Sequence, residues 1–534
     1  MSTISRRTFI QGAAAGLAAL PLLARSRSAV AGTKELVGDG CPDPEGIMPK
    51  RQFRGVWIAT VSNLDWPSQP GLPAETQKAQ LRALLDAAQG MGMNTIVLQI
   101  RPTTDAFYPS QLAPWSQYLT GVQGQDPGYD PLAFAIDEAH SRNLELHAWF
   151  NPYRVSLQSD LSRLAPNNPA RQHPDWVRAY GGQLWFDPGL PEVRQLIEAS
   201  IVEVVERYDI DAVHFDDYFY PYPSGNNEFP DEATYQQYGA GFASKADWRR
   251  HNVNTLVQEL SVLIKRTKPW VKLGISPFGI WRNRSTDPLG SDTSGFQSYD
   301  GIYADTRLWV KSNWLDYIAP QIYWSFHFAP AAYEALVPWW AQVVEGTNVH
   351  LYIGQAAYKI GASTQSPEWS DPDEMPNHLW FNLQYSQVKG DIYFRISNLL
   401  ANPLGFRDRL EQELYRHPAL VPVMPWLGGV APHHVALTQA RRNPQGVELE
   451  WRAIPHDNSA AYYAIYRFDS KVRPQDVCAF NDPRQLIATV RRVESSSSQT
   501  YVDTSASQGQ GYAYYVTALD RLHHESWPSN RRSP

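Results

Sequence analysis

Cysteine is nearly missing from this chain of 534 residues: Cys41 and Cys478 are its only two. So distant a pair cannot build the disulfide framework of a small secreted domain, and the sequence is as consistent with two free thiols as with one bridge. The long stretch between them has no His-x-His or HExxH pattern, so zinc has no evident site and no metal or cofactor is expected. No glycine-rich phosphate loop follows the first apolar run, and Ser276, in GISPFG, lacks the G-x-S-x-G setting of a serine nucleophile. Positive charge is also short. The net charge is −7 and becomes −11 once the four arginines of residues 1–31 are set aside, which argues against nucleic acid as a partner. No apolar run approaches the roughly 20 residues that span a bilayer, so no integral membrane anchor is expected.

The first 31 residues are read apart from the rest. Arg6 and Arg7, a short apolar run from Ala13 to Leu23 and the small-residue ending Ala29-Val30-Ala31 form a twin-arginine export signal. The expectation is a mature protein beginning near Gly32, in the periplasm or outside the cell. No lipobox cysteine adjoins the cleavage point, so no lipid anchor is expected.

What the chain does have is aromatic residues, 12% of the total with 19 tryptophans, and a repeating rhythm. Eight short β-rich runs, FRGVWIAT, TIVLQIRP, ELHAWFNP, AVHFDDYF, KLGISPFG, DYIAPQIYW, LYIGQAAY and DIYFRISN, alternate with amphipathic helical patterns between Phe53 and Asn398. Parallel strands buried on both faces read as such runs, so the fold class is α/β and the expected architecture a (β/α)8 barrel over residues 50–416; a doubly wound open sheet is the alternative. Residues 32–49 lead in, and a Pro/Gly-rich linker follows at 417–431. Over 432–534 the segments GVELEWRA, AYYAIYRF, QTYVDTS and GYAYYVTALDR alternate apolar and polar residues, which predicts a small fibronectin type III-like β-sandwich. Spacing, docking to an envelope or divisome protein, glycan contact and mere stabilisation of the barrel are all open to it.

Working groups of such a barrel sit at the carboxyl ends of its strands. Those ends are polar here: Asn63 and Asp65, Arg101 and Asp105, Asn151 and Arg154, Asp216 and Asp217, Ser276 and Arg282, Gln321 with Tyr323 and Trp324, Tyr358, and Arg395. HFDDYFYPYP sets Asp216 beside Asp217 among aromatic rings. Period two points Ala212, His214 and Asp216 inward and Val213 and Phe215 toward the helices. Two carboxyls crowded in an apolar cleft cannot both ionise freely, which makes one an acid and the other a base, the minimum kit for breaking a glycosidic bond. Tyr218 and its aromatic neighbours could wall a sugar site or pack the loop's prolines. The four arginines could neutralise the aspartates or grip an anionic substrate. Asp305 is expected to cap the helix DTRLWVKSNWL.

RGVWIATVSNLDWPS, QIRPTTDAFYPS, HAWFNPYR, HFDDYFYPYP, GISPFGIWRN, YADTRLWVKSNWLDYIAPQIYW and YIGQAAYK resemble the bacterial glycosyl-hydrolase-like 10 family, from about Lys50 to Leu414. The resemblance implies a glycoside hydrolase of the cell envelope whose relatives cut peptidoglycan glycan strands stripped of stem peptides. Asp216 and Asp217, read above as acid and base, are the expected catalytic residues. His214, Tyr218, Arg101, Asp105, Asn151, Arg154, Arg282, Gln321, Tyr323, Trp324, Tyr358 and Arg395 are the expected substrate contacts. Two mechanisms fit: one aspartate as acid with a carboxylate from another strand, such as Asp105, or attack by the substrate's own 2-acetamido group with Asp216 orienting it and Asp217 as acid. A non-catalytic glycan-binding protein and a hydrolase of secreted exopolysaccharide are the rival readings.

Overall fold

A computed structural model describes residue 41 and residues 43–362, 366–452, 459–493 and 496–534; the expected export signal lies outside them. Eight parallel strands close a barrel. They are β1 (Phe53–Ile58), β2 (Thr95–Arg101), β3 (Glu145–Phe150), and, after an excursion through β4 (Arg154–Ser156), β5 (Val177–Tyr180) and β6 (Gln183–Phe186), the strands β7 (Ala212–Phe215), β8 (Lys272–Ile275), β9 (Tyr317–Ile318), β10 (His350–Gln355) and β11 (Val388–Tyr393). Neighbours in the barrel are neighbours in sequence, and β1 closes on β11 with Phe53 opposite Gly390 and Val56 opposite Tyr393.

The inward and outward faces divide as period two requires. Val56, Ile58, Val213 and Phe215 belong to the core shared with the helices, whereas Phe53, Trp57, Val97, Trp149, Ala212, Tyr317, Tyr352 and Ile392 pack with one another inside the barrel. Helices between the strands start where the sequence supplies a cap. The Asp130 carboxylate accepts from the Leu132 and Ala133 amides, and Pro131 takes the first helical position, where its missing N–H costs nothing. Asp305 caps the helix Thr306–Lys311 as expected and also accepts from the indole of Trp281.

The strands stop short of the polar ends of their runs, and two differ further. β9 keeps only two residues of DYIAPQIYW, because Pro320 has no N–H to give the ladder; Gln321 rejoins it as isolated bridges to Phe278 and Gly354. β11 starts three residues before its run, and the run's end turns into the helix Ile396–Leu400.

The C-terminal part consists of β12 (Ala436–Asn443), β13 (Gly446–Arg452), β14 (Tyr462–Asp469), β15 (Leu486–Arg491), β16 (Ser498–Asp503) and β17 (Tyr512–Leu519), in two three-stranded antiparallel sheets ordered β12-β13-β16 and β15-β14-β17. Val447, Leu449 and Trp451 of the first share a core with Tyr463, Ile465 and Val516 of the second. These sheets dock on the barrel's lower mouth, where the strands begin. His523 reaches Glu145, the first residue of β3, at 3.0 Å, while Lys50 and Arg51 pair with buried Glu525.

Residues 417–431 are therefore more than a spacer. Leu420 exchanges backbone hydrogen bonds with Lys50 and Gln52, Met424 enters the apolar interior of the barrel, and the Trp426 indole donates to Asp316. The cysteines form a bridge, Cys41–Cys478, that ties the lead-in to the sandwich, so the free-thiol alternative is set aside.

Candidate active site

The mouth at the strands' carboxyl ends holds a cavity of about 600 Å³, and Asp216 and Asp217 lie in its wall. Both are buried. Asp216 continues the inward face of β7, which carries it into the mouth from inside. Its Oδ2 accepts from Asn151 Nδ2 at 2.5 Å and from the Trp149 indole at 3.2 Å, and its Oδ1 accepts from the Tyr218 amide at 3.1 Å. Asn151 is held in one orientation, because its oxygen accepts from Gln99 Nε2 at 2.6 Å and Arg154 Nη2 at 2.9 Å, which leaves only its NH2 for the carboxylate.

Asp217 has a different set of partners. The Tyr222 hydroxyl donates to its Oδ2 through a short bond, and Gln321 Nε2 donates to its Oδ1 at 2.9 Å while also donating to the Ser276 carbonyl. Burial pushes both carboxyls up. The charge of Asp217 adds to the effect at Asp216, whose value reaches about 7 against the opposing pull of Arg154 and Asn151. For Asp217 the Tyr222 and Gln321 donors oppose the rise. Carboxyls that interact this strongly give up protons in two steps belonging to the pair. Between those steps the cleft holds one proton and one negative charge.

Although the charge of Asp217 lifts Asp216, the hydrogen-bond partners place the shared proton on Asp217. All three donors to Asp216 are N–H groups, which can only donate, so Asp216 is satisfied as a carboxylate. Tyr222 is a hydroxyl, which accepts as readily as it donates, so Asp217 can carry a proton on Oδ2 without losing its partner.

Of the expected contacts, Arg154, Tyr218, Gln321, Tyr323, Tyr358 and Arg395 line this cavity. Asn151 acts from behind Asp216. The others lie elsewhere. His214 is sealed inside the barrel below the cavity, bonded to the Trp57 indole and the Tyr317 hydroxyl. Asp105 is buried away from the cavity and accepts from Thr103 Oγ1, the Gln117 amide and Gln123 Nε2, which makes it a loop anchor. Arg101 is buried beside Tyr108. Arg282 pairs with Asp287 and Asp300, and Trp324 packs edge-on to Phe278. A strand-end position does not specify direction, and these side chains turn into the surrounding loops.

Of the two arginines left at the cavity, Arg395 is paired with buried Asp65 at 2.6 Å. Arg154 draws both aspartates' values down, so at least one arginine serves to moderate the pair.

Trp57, Gln99, Trp149, Phe278 and Phe394 also line the cavity and were not among the expected contacts; Tyr222, from the aromatic run beside Tyr218, and the strand-end residue Ser276 line it too. Trp57 and Trp149 lie within their strands, where the same inward parity that placed Asp216 could have found them. Ser276 presents a buried hydroxyl with no hydrogen-bond partner, available to a bound molecule.

The model of the family described as glycosyl hydrolase-like 10 matches residues 52–371. The chain belongs to that family. Among curated proteins, glycosyl hydrolase YngK of Bacillus subtilis is 52% identical over 487 residues, covering 90% of this chain and 93% of the relative. Glycosyl hydrolase DigH of Escherichia coli K12 is 47% identical over 363 residues, covering 64% and 82%. Among solved structures, the PgaB (BpsB) glycoside hydrolase domain from Bordetella bronchiseptica aligns with a TM-score of 0.44 at 13% identity, over 68% of this chain and 99% of that one. As a member of the glycosyl hydrolase-like 10 family, the protein is a glycoside hydrolase. Matched residues 52–371 include seven of the eight barrel strands and every side chain that touches the aspartate pair.

Proposed function

We propose that this glycosidase is exported and cuts polymers of N-acetylated amino sugars, peptide-free peptidoglycan glycan strands foremost, by a substrate-assisted route. One observation carries the mechanism: Asp216 and Asp217 are the two carboxylates lining the cavity among the described residues, and no third faces them across the mouth. Hydrolysis by two separated carboxylates needs a gap of roughly 5 to 9.5 Å between them, with the sugar in between. Both aspartates come from the end of one strand, so no carboxylate stands across the sugar from them, and Asp105 does not supply the missing group.

In the proposed route, the acetamido oxygen of the substrate attacks the anomeric carbon while Asp217 gives its proton to the departing glycosidic oxygen. Asp216, as the carboxylate, accepts the acetamido N–H and offsets the charge that develops there. Water then adds its oxygen to the anomeric carbon, returns a proton to Asp217 and releases the acetamido group. Trp57, Trp149, Tyr323 and Phe394 give the cavity apolar surface suited to an acetyl methyl and a pyranose face. The Cys41–Cys478 bridge supports an oxidising compartment and therefore the export reading. The sheet orders support the fibronectin type III reading of the C-terminal sandwich.

The test is incubation of the purified protein with peptide-free strands, acetylated or chemically de-acetylated, followed by mass spectrometry of the fragments. Acetylated strands are expected to shorten, de-acetylated ones to resist, and Asp217→Asn and Asp216→Asn to lose on the order of 10²-fold or more in kcat. Equal cleavage of both strand types would defeat the substrate-assisted route.

A further inference from the structure

The cavity at the aspartate pair adjoins a second depression of about 380 Å³. Val61, Arg154, Tyr218 and Tyr222 line both, so the two adjoin, with these side chains forming the ridge between them. The outer part is built by the small antiparallel sheet β4-β6-β5 that interrupts the barrel after β3. Exposed Leu157 follows β4, Gln183 opens β6, and buried Trp185 of β6 lines the depression with them. The opposite bank is the loop carrying Pro223 and Ser224.

This bank is fixed before anything binds. The Tyr180 hydroxyl donates to the Asn227 carbonyl at 2.8 Å and accepts from the Ser224 amide at 2.9 Å, which pins the loop to the sheet. Gly181 and Gly182, with φ of 59° and 76°, make the turn that brings Tyr180 to the loop. On the dividing ridge the Arg154 guanidinium lies 5.1 Å from the centre of the Tyr218 ring. A rigid trough that mixes apolar faces with amide and hydroxyl groups suits the alternating faces of a sugar. The first cavity is also walled by Tyr323, Tyr358 and Phe394, none of which reaches the outer depression.

We propose that the outer depression holds the sugars next to the one in the catalytic cavity, so that a strand crosses Asp216 and Asp217 with sugars on both sides. The enzyme then cuts internal bonds, and its efficiency rises with strand length until the outer depression is filled, because remote binding energy is used at the reacting bond. This inference rests on the substrate reading above.

The experiment uses peptide-free strands fractionated by length and labelled at the reducing end, digested by the whole protein and sampled early. Mid-length fragments are expected to appear first, with kcat/KM at least about tenfold higher for long strands than for the shortest. Gln183→Ala and Leu157→Trp, which thin one bank and crowd the trough, are expected to reduce that ratio and to move the preferred cut. Release of one small product from a chain end from the earliest sample, or rates independent of length, would overturn the inference while leaving the hydrolase reading intact. If no strand is cut at any length, the substrate reading fails and this inference fails with it.

Discussion

Tyr222 shows how much of the site depends on single hydroxyls. It donates to Asp217 and is itself partly buried, packed on the rings of Tyr218, Phe278 and Phe296. Its donation lowers the Asp217 value, partly offsetting burial. Removing it must therefore raise the pH at which the pair loses its last proton, which with Asp216 at about 7 lies near neutrality. Activity that needs that proton falls as pH rises through this value. In Tyr222→Phe the alkaline limb of the kcat profile is expected to move up by about one unit, the worth of a hydrogen bond to a charged group, with kcat itself lower. An unmoved limb would mean that Tyr222 does not touch the working proton. The aspartates were legible in the sequence because they are adjacent and end an apolar run. Tyr222 was visible only as one more aromatic, since its role depends on a loop that folds back five residues later.

At the scale of the element, the eight strands were readable because parallel barrel strands are buried on both faces and so are written as unbroken apolar runs. The interior packing was not readable, because it depends on which residues meet across the barrel axis. Gly274 of β8 is an instance. A Cβ at this position would collide with the ring of Tyr317 on the neighbouring strand, and that ring is held on its hydroxyl by both His147 and His214. The requirement is for space, with no left-handed backbone involved. Gly274→Ala is expected to cost about 1 to 3 kcal/mol by overpacking, read as a lowered midpoint in denaturant at unchanged m-value. Combining it with Tyr317→Leu should cost less than the two single changes added together, since the smaller side chain vacates the collision. Strict additivity would show that Gly274 serves something other than Tyr317.

Across the whole molecule, one column of polar groups runs down the barrel axis from the cavity to the sandwich. The Trp57 indole can only donate, so His214 Nε2 accepts at 3.1 Å. Burial, reinforced by His147, holds His214 well below its usual value, so it is neutral and its Nδ1–H donates to Tyr317 at 2.8 Å. Tyr317 then donates to His147 Nδ1, and His147 Nε2–H donates to Glu145 at 3.0 Å. Every donor points toward Glu145, which also receives Lys272 and, from the sandwich, His523. Burial alone would raise Glu145, but the Lys272 charge and the two histidine bonds outweigh it and hold the carboxyl well below the ordinary range.

A depressed glutamate contributes stability that is fully present above its unfolded value and is lost as pH falls through the folded one. His523→Ala removes one support, so the folded value rises and the contribution shrinks. The variant is expected to melt a few degrees below the parent at neutral pH, and the gap should narrow only once pH is below the ordinary glutamate range and falls through the two folded values, beneath which both proteins have lost the term. Thermal melts across that range are the measurement, and catalysis at neutral pH serves as the companion reading, since His523 lies at the opposite end of the barrel from Asp216. A gap that stays constant toward acid would show that His523 stabilises the junction by packing against Tyr462, on which its ring stacks, and not through the charge of Glu145.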